Sequence, residues 1–595
     1  MTKKLLLFLL AALTTIPECG ARKYVFRMED YGITPSAGDC TPRLVRFLHE
    51  QRKRHAFTPD DRVVLKFRKG EYHFHSTEAV LKDTYVSNHD QWQPKKIVFD
   101  LTGWHNLTLD GGGADFIFYG TVIPIALQHA RNCTLRDFSI DFAQPKMTPL
   151  EIIESDTLRG ITFRAPRWAN CYISDDGYFQ TRGEDWEYRP VTGMAFDSAT
   201  HHLIYRGGEF PIDTREVQPI APFLFRAPHW KNAALRPGMV VAARDWNRPT
   251  PAIFLNEDRD THVLNVRVHY AFGMGLLAQR CENILLDRFA VCPNERSGHA
   301  KRYFTTHADA THFSQCKGLI TSRRGLYEGM MDDAINVHGI YLKVIRRLSD
   351  HALVCAFGHE QAWGFNWGNS GDEVQFIHAG TMEPFAPNTI AAIRPYDQTE
   401  LRGMRTFRIE FARPLPDDVQ GGEGIGLENL TWHPEVDFSR NTVRNNRARG
   451  ALFSSPRRTR CERNTFDHVS GTAILLCGDC NGWYESGACR DITIRKNTFR
   501  NCLTDYFQFT NAIISIYPEI PRLQEQQAYF HANVRIEDNR FDTFDAPLLY
   551  AKSVDGITFR GNRIRRNSDF PPFHWNREPV KLERVTNAHI QPLGE

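Results

Sequence analysis

The chain has 595 residues and a formal charge of +3, from 73 Lys and Arg against 70 Asp and Glu, with the basic residues dispersed. That balance excludes a nucleic-acid track, and clusters such as Arg457, Arg458 and Arg460 or Arg563, Arg565 and Arg566 read as solvated faces. Hydrophobic residues at 42% and aromatics at 12% exclude a largely disordered chain, and the length exceeds one ordinary core unless the core grows by repetition along one axis.

Residues 1–21 begin with Lys3 and Lys4, continue with an apolar run from Leu5 to Leu13, and end in small and turn-forming residues. This is the pattern of a secretory signal peptide, and the run is too short to span a bilayer. Cleavage is expected after Ala21, giving a periplasmic or secreted protein; a lipid anchor on Cys19 is the alternative, which Glu18 directly before it disfavours. No later stretch is apolar enough for a transmembrane helix. Removing residues 1–21 would leave twelve of the thirteen cysteines, which permits disulfides in an oxidising compartment, although the spacing forces no pairing.

Residues 22–146 should hold an N-terminal cap and the first coils. The stretch DYGITPSAGDCTPRLVRFLHEQRKR reads as a strand, a loop and an amphipathic helix with Leu44, Phe47 and Leu48 on one face, suited to closing the end of a repeat stack. VVLKFRKGEYHFH and HNLTLDGGG then begin the coils. Residues 147–258 and 341–427 break the rhythm with longer alternating strands, Trp and Pro, as in GMVVAARDWNRP and GDEVQFIHAGTMEP, and are expected to be small inserted β-barrels. Coils return over 259–340 and 428–595.

The coil reading rests on a loose repeat: CTLRDFSI from Cys133, CENILLDRF from Cys281, CKGLITSR from Cys316, CRDITIRKNTF from Cys489, NVRIEDNRF from Asn533 and VDGITFRGNRI from Val554. Each is a turn followed by a short strand alternating at period two. Asn441, Asn464, Asn497, Asn539 and Asn562 recur at separations of 23, 33, 42 and 23. A base period near 23 suits three short strands and three turns per coil, so the fold expected is all-β, a right-handed parallel β-helix with two inserted small β-barrel domains. Asn and Cys at matching turns would form ladders along the stack. Cys477, Cys480 and Cys489 superficially resemble a zinc knuckle, but no fourth ligand follows at a regular distance.

The chemistry is concentrated in GLYEGMMDDAINVHG, residues 325–339. Asp309 precedes Asp332 by 23 residues, which would set the two at equivalent places on adjacent coils, roughly 4.8 Å apart in backbone. In a regular strand Asp332 and Asp333 would face opposite ways, one of them into the core; Met331 to Asp333 is therefore expected to leave strand geometry so that both face outwards. Clustered carboxylates push their pKa values apart, the equipment for glycosidic hydrolysis, while a solvated turn or a calcium site is the alternative. Coil spacing leaves both retention and inversion open.

HAD followed by GMMDDAINVHG resembles the three-aspartate site of β-helix glycoside hydrolases, although the GHG and RIK elements of the polygalacturonase branch are absent. EGMMDDAINVHG, GALFSSPRRTRCERNTF and NGWYESGACRDITIRKNTF resemble glycoside hydrolase family 110, exo-acting α-1,3-galactosidases of blood-group B type termini, and the resemblance covers nearly the whole chain after residue 21. It implies an inverting mechanism without metal or other cofactor, with Asp309 as general acid and Asp332 and Asp333 activating water. The partners it implies are galactose-terminated oligosaccharides and glycoconjugates; whether the chain pairs as a homodimer stays open.

His307, Glu328, Asn336 and His338 are further candidates to hydrogen-bond the sugar. Trp483 would stack on galactose and Glu485 grip its hydroxyls, with Trp363 and Trp367 walling the site from the second insertion. The alternatives are another β-helix hydrolase, polygalacturonase-like or active on a sulfated galactan, and a non-catalytic carbohydrate-binding β-helix.

Overall fold

One coil of short alternating strands leaves its apolar side chains facing an open interior, and only a neighbouring coil can cover them. The computed structural model, which describes residues 21–593 apart from 56, 59, 296–301, 397–403 and 423, is such a stack. Its 32-stranded sheet is built almost wholly of parallel pairings between successive coils. Along one face, Leu276–Gln279, Thr311–Ser314, Ile335–Ile340, Ala451–Phe453, Ile474–Leu476, Ile514–Ile516 and Leu549–Arg560 lie side by side. The register aligns Ala278, Phe313, Val337, Phe453, Leu476, Ile516 and Ala551, all buried in the main core. Period two sends the residues between them, Leu277, His312, Asn336 and Leu452, to the opposite face. The sheet thereby carries a polar outer row at His312 and Asn336, and this is where the site forms.

The turns are tied by the expected asparagine ladder. Asn441 N–H donates to Asn464 Oδ1, Asn464 N–H to Asn497 Oδ1, Asn497 N–H to Asn539 Oδ1 and Asn539 N–H to Asn562 Oδ1, each at 2.9 Å. Asn497 is a middle rung, so Asn497→Ala would strand the buried Asn464 N–H. The expected result is a loss of about 1–3 kcal/mol in chemical denaturation with activity per folded molecule retained.

Helix Thr41–Arg54 buries Leu44, Phe47 and Leu48, as its amphipathic pattern requires, and Phe47 packs edge-on against Phe26 at 5.4 Å and Tyr31 at 4.5 Å. The first insertion is a seven-stranded antiparallel sheet with a three-stranded companion, around its own core of Leu150, Phe163, Phe225 and Trp230. Ile253–Asn256, expected inside the insertion, is already a coil strand, stacked between Ile123–Gln128 and Leu276–Gln279, so the first insertion ends before residue 253. The second is a closed six-stranded barrel running from Leu342–Ser349 to Ile425–Asn429, with Leu353, Trp367, Phe376 and Ile409 inside.

The twelve cysteines among the described residues are all free thiols, eleven of them buried. Several point at carbonyls of their own or a neighbouring coil, as Cys316 Sγ does to Ala278 O at 3.5 Å and Cys489 Sγ to Phe453 O at 3.4 Å. No helix among the described residues is long and apolar enough to cross a membrane. The signal peptide and Cys19 expected from sequence lie outside the described residues, save Ala21.

Candidate active site

Register decides which carboxylates meet. Thr311 pairs with Ile335, a step of 24 residues, so Asp309 sits beside Asp333 rather than beside Asp332 as the 23-residue spacing suggested. The Asp333 N–H reaches Asp309 Oδ1 at 3.3 Å. Met331 to Ala334 is a bend outside any strand, as the paired aspartates demanded.

The bend does not turn both carboxylates outwards. Asp332 keeps 19% of its side chain exposed, whereas Asp333 is fully enclosed. The cause is Arg449: its Nε donates to Asp333 Oδ1 at 2.8 Å, and its Nη2 donates to both Asp333 Oδ2 and Asp332 Oδ1 at 3.1 Å. A guanidinium clamped on two carboxylates is among the stronger charge-assisted arrangements a protein makes. One oxygen from each of Asp309, Asp332 and Asp333 falls within 4.8 Å of the others. That spacing could suit a cation, as the calcium alternative requires, but here Arg449 supplies the positive charge at two of the three carboxylates.

The environments split the three. Burial, then the Asp332 charge, push the Asp309 carboxyl well above the ordinary range, against Arg248 and Arg449. Burial acts on Asp332 too, but Arg449, Arg447, Arg248 and Arg244 together outweigh it and hold Asp332 below the ordinary range. Burial pushes Asp333 well above the ordinary range as well, against the Arg449 charge beside it. Carboxyls pushed up and one held down thus share one patch.

They open into a cavity of about 240 Å³. The coils contribute Met274, His307, Asp309, His312, Asp332, Asn336, Arg447, Arg449 and Leu452 to its wall; the first insertion contributes Glu209, Arg244, Trp246 and Arg248; the loops between coils contribute Asn88, Asp479, Trp483, Glu485, Phe507 and Phe509. Of the sequence candidates, His307, Asn336, Trp483 and Glu485 line this cavity. His307 is held by the Tyr270 hydroxyl at 2.7 Å. Trp483 stacks on His359 of the second insertion, centroids 4.2 Å apart, and Asn88 Nδ2 donates to Glu485 Oε1 at 3.3 Å.

Four candidates stand elsewhere. His338 is buried behind the wall, against Gly339 O and His312. Glu328 is taken up by Arg444 Nε at 2.9 Å and Asn445 Nδ2 at 2.9 Å, beside a separate cleft, because its strand Leu326–Glu328 lies on a different side of the coil from Ile335–Ile340. Trp363 packs on Tyr85 and Arg405, and Trp367 is fully buried with its Nε1–H on Ile340 O at 2.9 Å, so neither walls the cavity.

Residues 150–241 match a family model described as GLAA-B beta-barrel domain I, and residues 352–425 one described as GLAA-B beta-barrel domain II. Across the whole length, the chain is 51% identical to an alpha-1,3-galactosidase B of Bacteroides fragilis, covering 99% of this chain and 100% of that protein. The chain belongs to the α-1,3-galactosidase family. It is also 36% identical to an alpha-1,3-galactosidase B of Akkermansia muciniphila, over 98% of this chain and 71% of that one, and 31% identical to an alpha-1,3-galactosidase A of Bacteroides fragilis, over 94% and 91%.

Sequence reasoning missed the cationic half of this family member's site. Arg447 and Arg449 follow Asp332 and Asp333 by more than a hundred residues, with the second barrel between them, so no local pattern joins them. In sequence, Arg248 and Trp246 look like no more than a stretch of barrel strand. The alternation in NRARG, which can aim two arginines one way, was the one available signal.

Proposed function

We propose that this protein is an exo-α-galactosidase that releases terminal, non-reducing α-1,3-linked galactose from glycans by single displacement. The observation that carries this reading is the meeting of Asp309 and Asp332 at one cavity, where burial pushes Asp309 above the ordinary carboxyl range while Arg449, Arg447, Arg248 and Arg244 hold Asp332 below it. Asp309 gives its proton to the glycosidic oxygen as the bond to the anomeric carbon breaks, and the glycan leaves as an alcohol. Water attacks that carbon and loses a proton to Asp332; one water is consumed, and the proton gained by Asp332 replaces the one lost by Asp309 when both return to their resting states through solvent. Asp333 serves by fixing Arg449, which keeps Asp332 ionised.

Trp483 offers an aromatic face to the apolar side of galactose, and Glu485 and Asn336 offer groups for its hydroxyls. Trp246, 62% exposed at the mouth, offers a surface to the next sugar, which suits a blood-group B type terminus and a linear Gal-α-1,3-Gal end alike. An exported enzyme, as residues 1–21 suggest, would meet both.

The family resemblance favours inversion. One oxygen of Asp309 lies within 4.8 Å of one of Asp332, a nearest approach shorter than the roughly 5–5.5 Å between retaining carboxyls and the roughly 6.5–9.5 Å between inverting ones, so the product anomer is the informative measurement. Proton NMR of the purified protein with a branched blood-group B trisaccharide and with Gal-α-1,3-Gal should show β-galactose first. Initial α-galactose would overturn single displacement, and no galactose from either substrate would overturn the galactosidase reading.

A further inference from the structure

Behind the Asp309 carboxyl lies a chain of groups that the displacement itself does not use. Asp309 Oδ2 is 2.7 Å from His312 Nδ1, His312 Nε2 is 2.8 Å from His338 Nε2, and His338 Nδ1 is 2.6 Å from Gly339 O. The imidazoles meet nearly edge to face, at 80° with centroids 4.8 Å apart, so each can direct a ring nitrogen at the next group. Both are buried. The chain belongs to the sheet: His312 and His338 lie two strand positions apart, in Thr311–Ser314 and Ile335–Ile340, where Ser314 is the register mate of His338.

We infer that His312 and His338 are positioning residues that keep the acid proton on Asp309. The argument rests on the galactosidase reading for what the proton does, but the direction of the chain follows from hydrogen-bond chemistry. A backbone carbonyl can only accept, so His338 Nδ1 carries a hydrogen and donates to Gly339 O. A neutral imidazole then has an acceptor at Nε2. His312 Nε2 must therefore donate to it, which leaves His312 Nδ1 as an acceptor. The group facing that nitrogen is Asp309 Oδ2, and the remaining donor is its carboxylic O–H.

Neutrality of both rings follows from burial, which pushes each imidazole down to about 4. The charged neighbours that face them do not reverse this. His312 is faced by Asp309, His338, Glu485, Arg248, Asp332 and His89; His338 by Glu485, His312 and His433; Asp309 by His312, Asp332, Asp333, Arg248, Arg449 and Glu485. Glu485 Oε1 lies 3.4 Å from His338 Nε2, longer than the 2.8 Å to His312, so the second imidazole is the closer partner.

The chain also drives the return to the resting state. Once Asp309 has passed its proton to the leaving oxygen, a carboxylate faces an unprotonated nitrogen, two acceptors with no hydrogen between them. Uptake of one proton from solvent by Asp309 removes that repulsion and readies the acid for the next substrate.

His338→Phe keeps a ring but removes the acceptor, freeing His312 to move its hydrogen to Nδ1 and donate to an Asp309 carboxylate. The basic limb of the kcat/KM profile on a natural glycan should then fall by about one pH unit or more. Hydrolysis of a 2,4-dinitrophenyl α-galactoside, whose leaving group departs without protonation, should stay within about threefold of wild type, and His338→Gln, which restores an acceptor oxygen, should return the basic limb towards its original place.

Equal losses on both substrates with an unmoved basic limb would assign His338 a purely structural role and overturn the inference. A second readout stands apart from turnover: ¹⁵N-imidazole NMR of the wild-type protein, with His312→Gln and His338→Phe for assignment, should find His312 as the Nε2–H tautomer and His338 as the Nδ1–H tautomer at neutral pH. His312 as the Nδ1–H tautomer overturns the chain even if the protein hydrolyses every galactoside offered. The expected tautomers in a protein that releases no galactose would uphold the chain and overturn only the galactosidase reading.

Discussion

Asp309→Asn is expected to lower turnover on glycans by roughly 10²–10⁴-fold while leaving the thermal midpoint at or above that of wild type. The stability half of this expectation follows from the sign of the shift. A carboxyl whose folded pKa is raised contributes stability fully present below its unfolded pKa and lost as pH rises through the folded value, so replacing it with a neutral amide removes a penalty at high pH. The catalytic half is separable by leaving group. With 2,4-dinitrophenyl α-galactoside the Asp309→Asn variant should recover most of its rate, because no proton need be delivered, whereas Asp332→Asn should stay impaired on both substrates, because water must still be activated. Recovery by Asp332→Asn and not by Asp309→Asn would exchange the two roles. In the wild type, activity should fail as pH drops through the depressed Asp332 value and again as pH rises through the elevated Asp309 value, giving a broad bell.

Arg449→Met should be the most damaging single change to the fold near the site. It leaves Asp333, with no exposed surface and already pushed up by burial, without the donors that satisfy both of its oxygens, and stranding a buried polar group costs about 1–3 kcal/mol. Chemical denaturation at neutral pH would measure the loss. The pH dependence separates two routes to it. Asp332 is held low first by Arg449, so its contribution, present above the ordinary carboxylate pKa and lost as pH falls through the folded value, should shrink, and the acidic limb of the rate profile should move up. A variant with wild-type stability and an unmoved acidic limb would show that Arg449 does not set the charge of this pair.

The regions of this molecule that were legible in the sequence are those whose partners repeat. Asparagines that recur at the turns must find one another when coils stack, and the ladder from Asn441 to Asn562 follows. Asp332 and Asp333, adjacent yet flanked by core residues, required a bend, and the bend is present. What the sequence obscured depends on offsets smaller than the repeat. A step of 24 rather than 23 residues exchanges the neighbour of Asp309, setting the enclosed Asp333 beside it and leaving Asp332 at the cavity. Glu328 illustrates a different loss: a coil has several sides, and proximity in sequence to Asp332 does not place a residue on the same one. Arg447 and Arg449 were illegible because a whole barrel separates them from the carboxylates they hold; of that barrel's tryptophans, Trp367 answers to its interior and Trp363 to Tyr85 and Arg405, neither to the cavity.

The unpaired thiols give the stack a built-in reporter. Cys133 and Cys489 sit in different coils, and burial pushes both up to about 12, so in the native protein neither offers a thiolate to an alkylating reagent at neutral pH. Each becomes reactive only when its own coil opens. The order in which successive cysteines are modified under mild denaturant would therefore chart where the stack frays first, residue by residue and without any added label, and would tell whether the coils separate singly or the whole column gives way together.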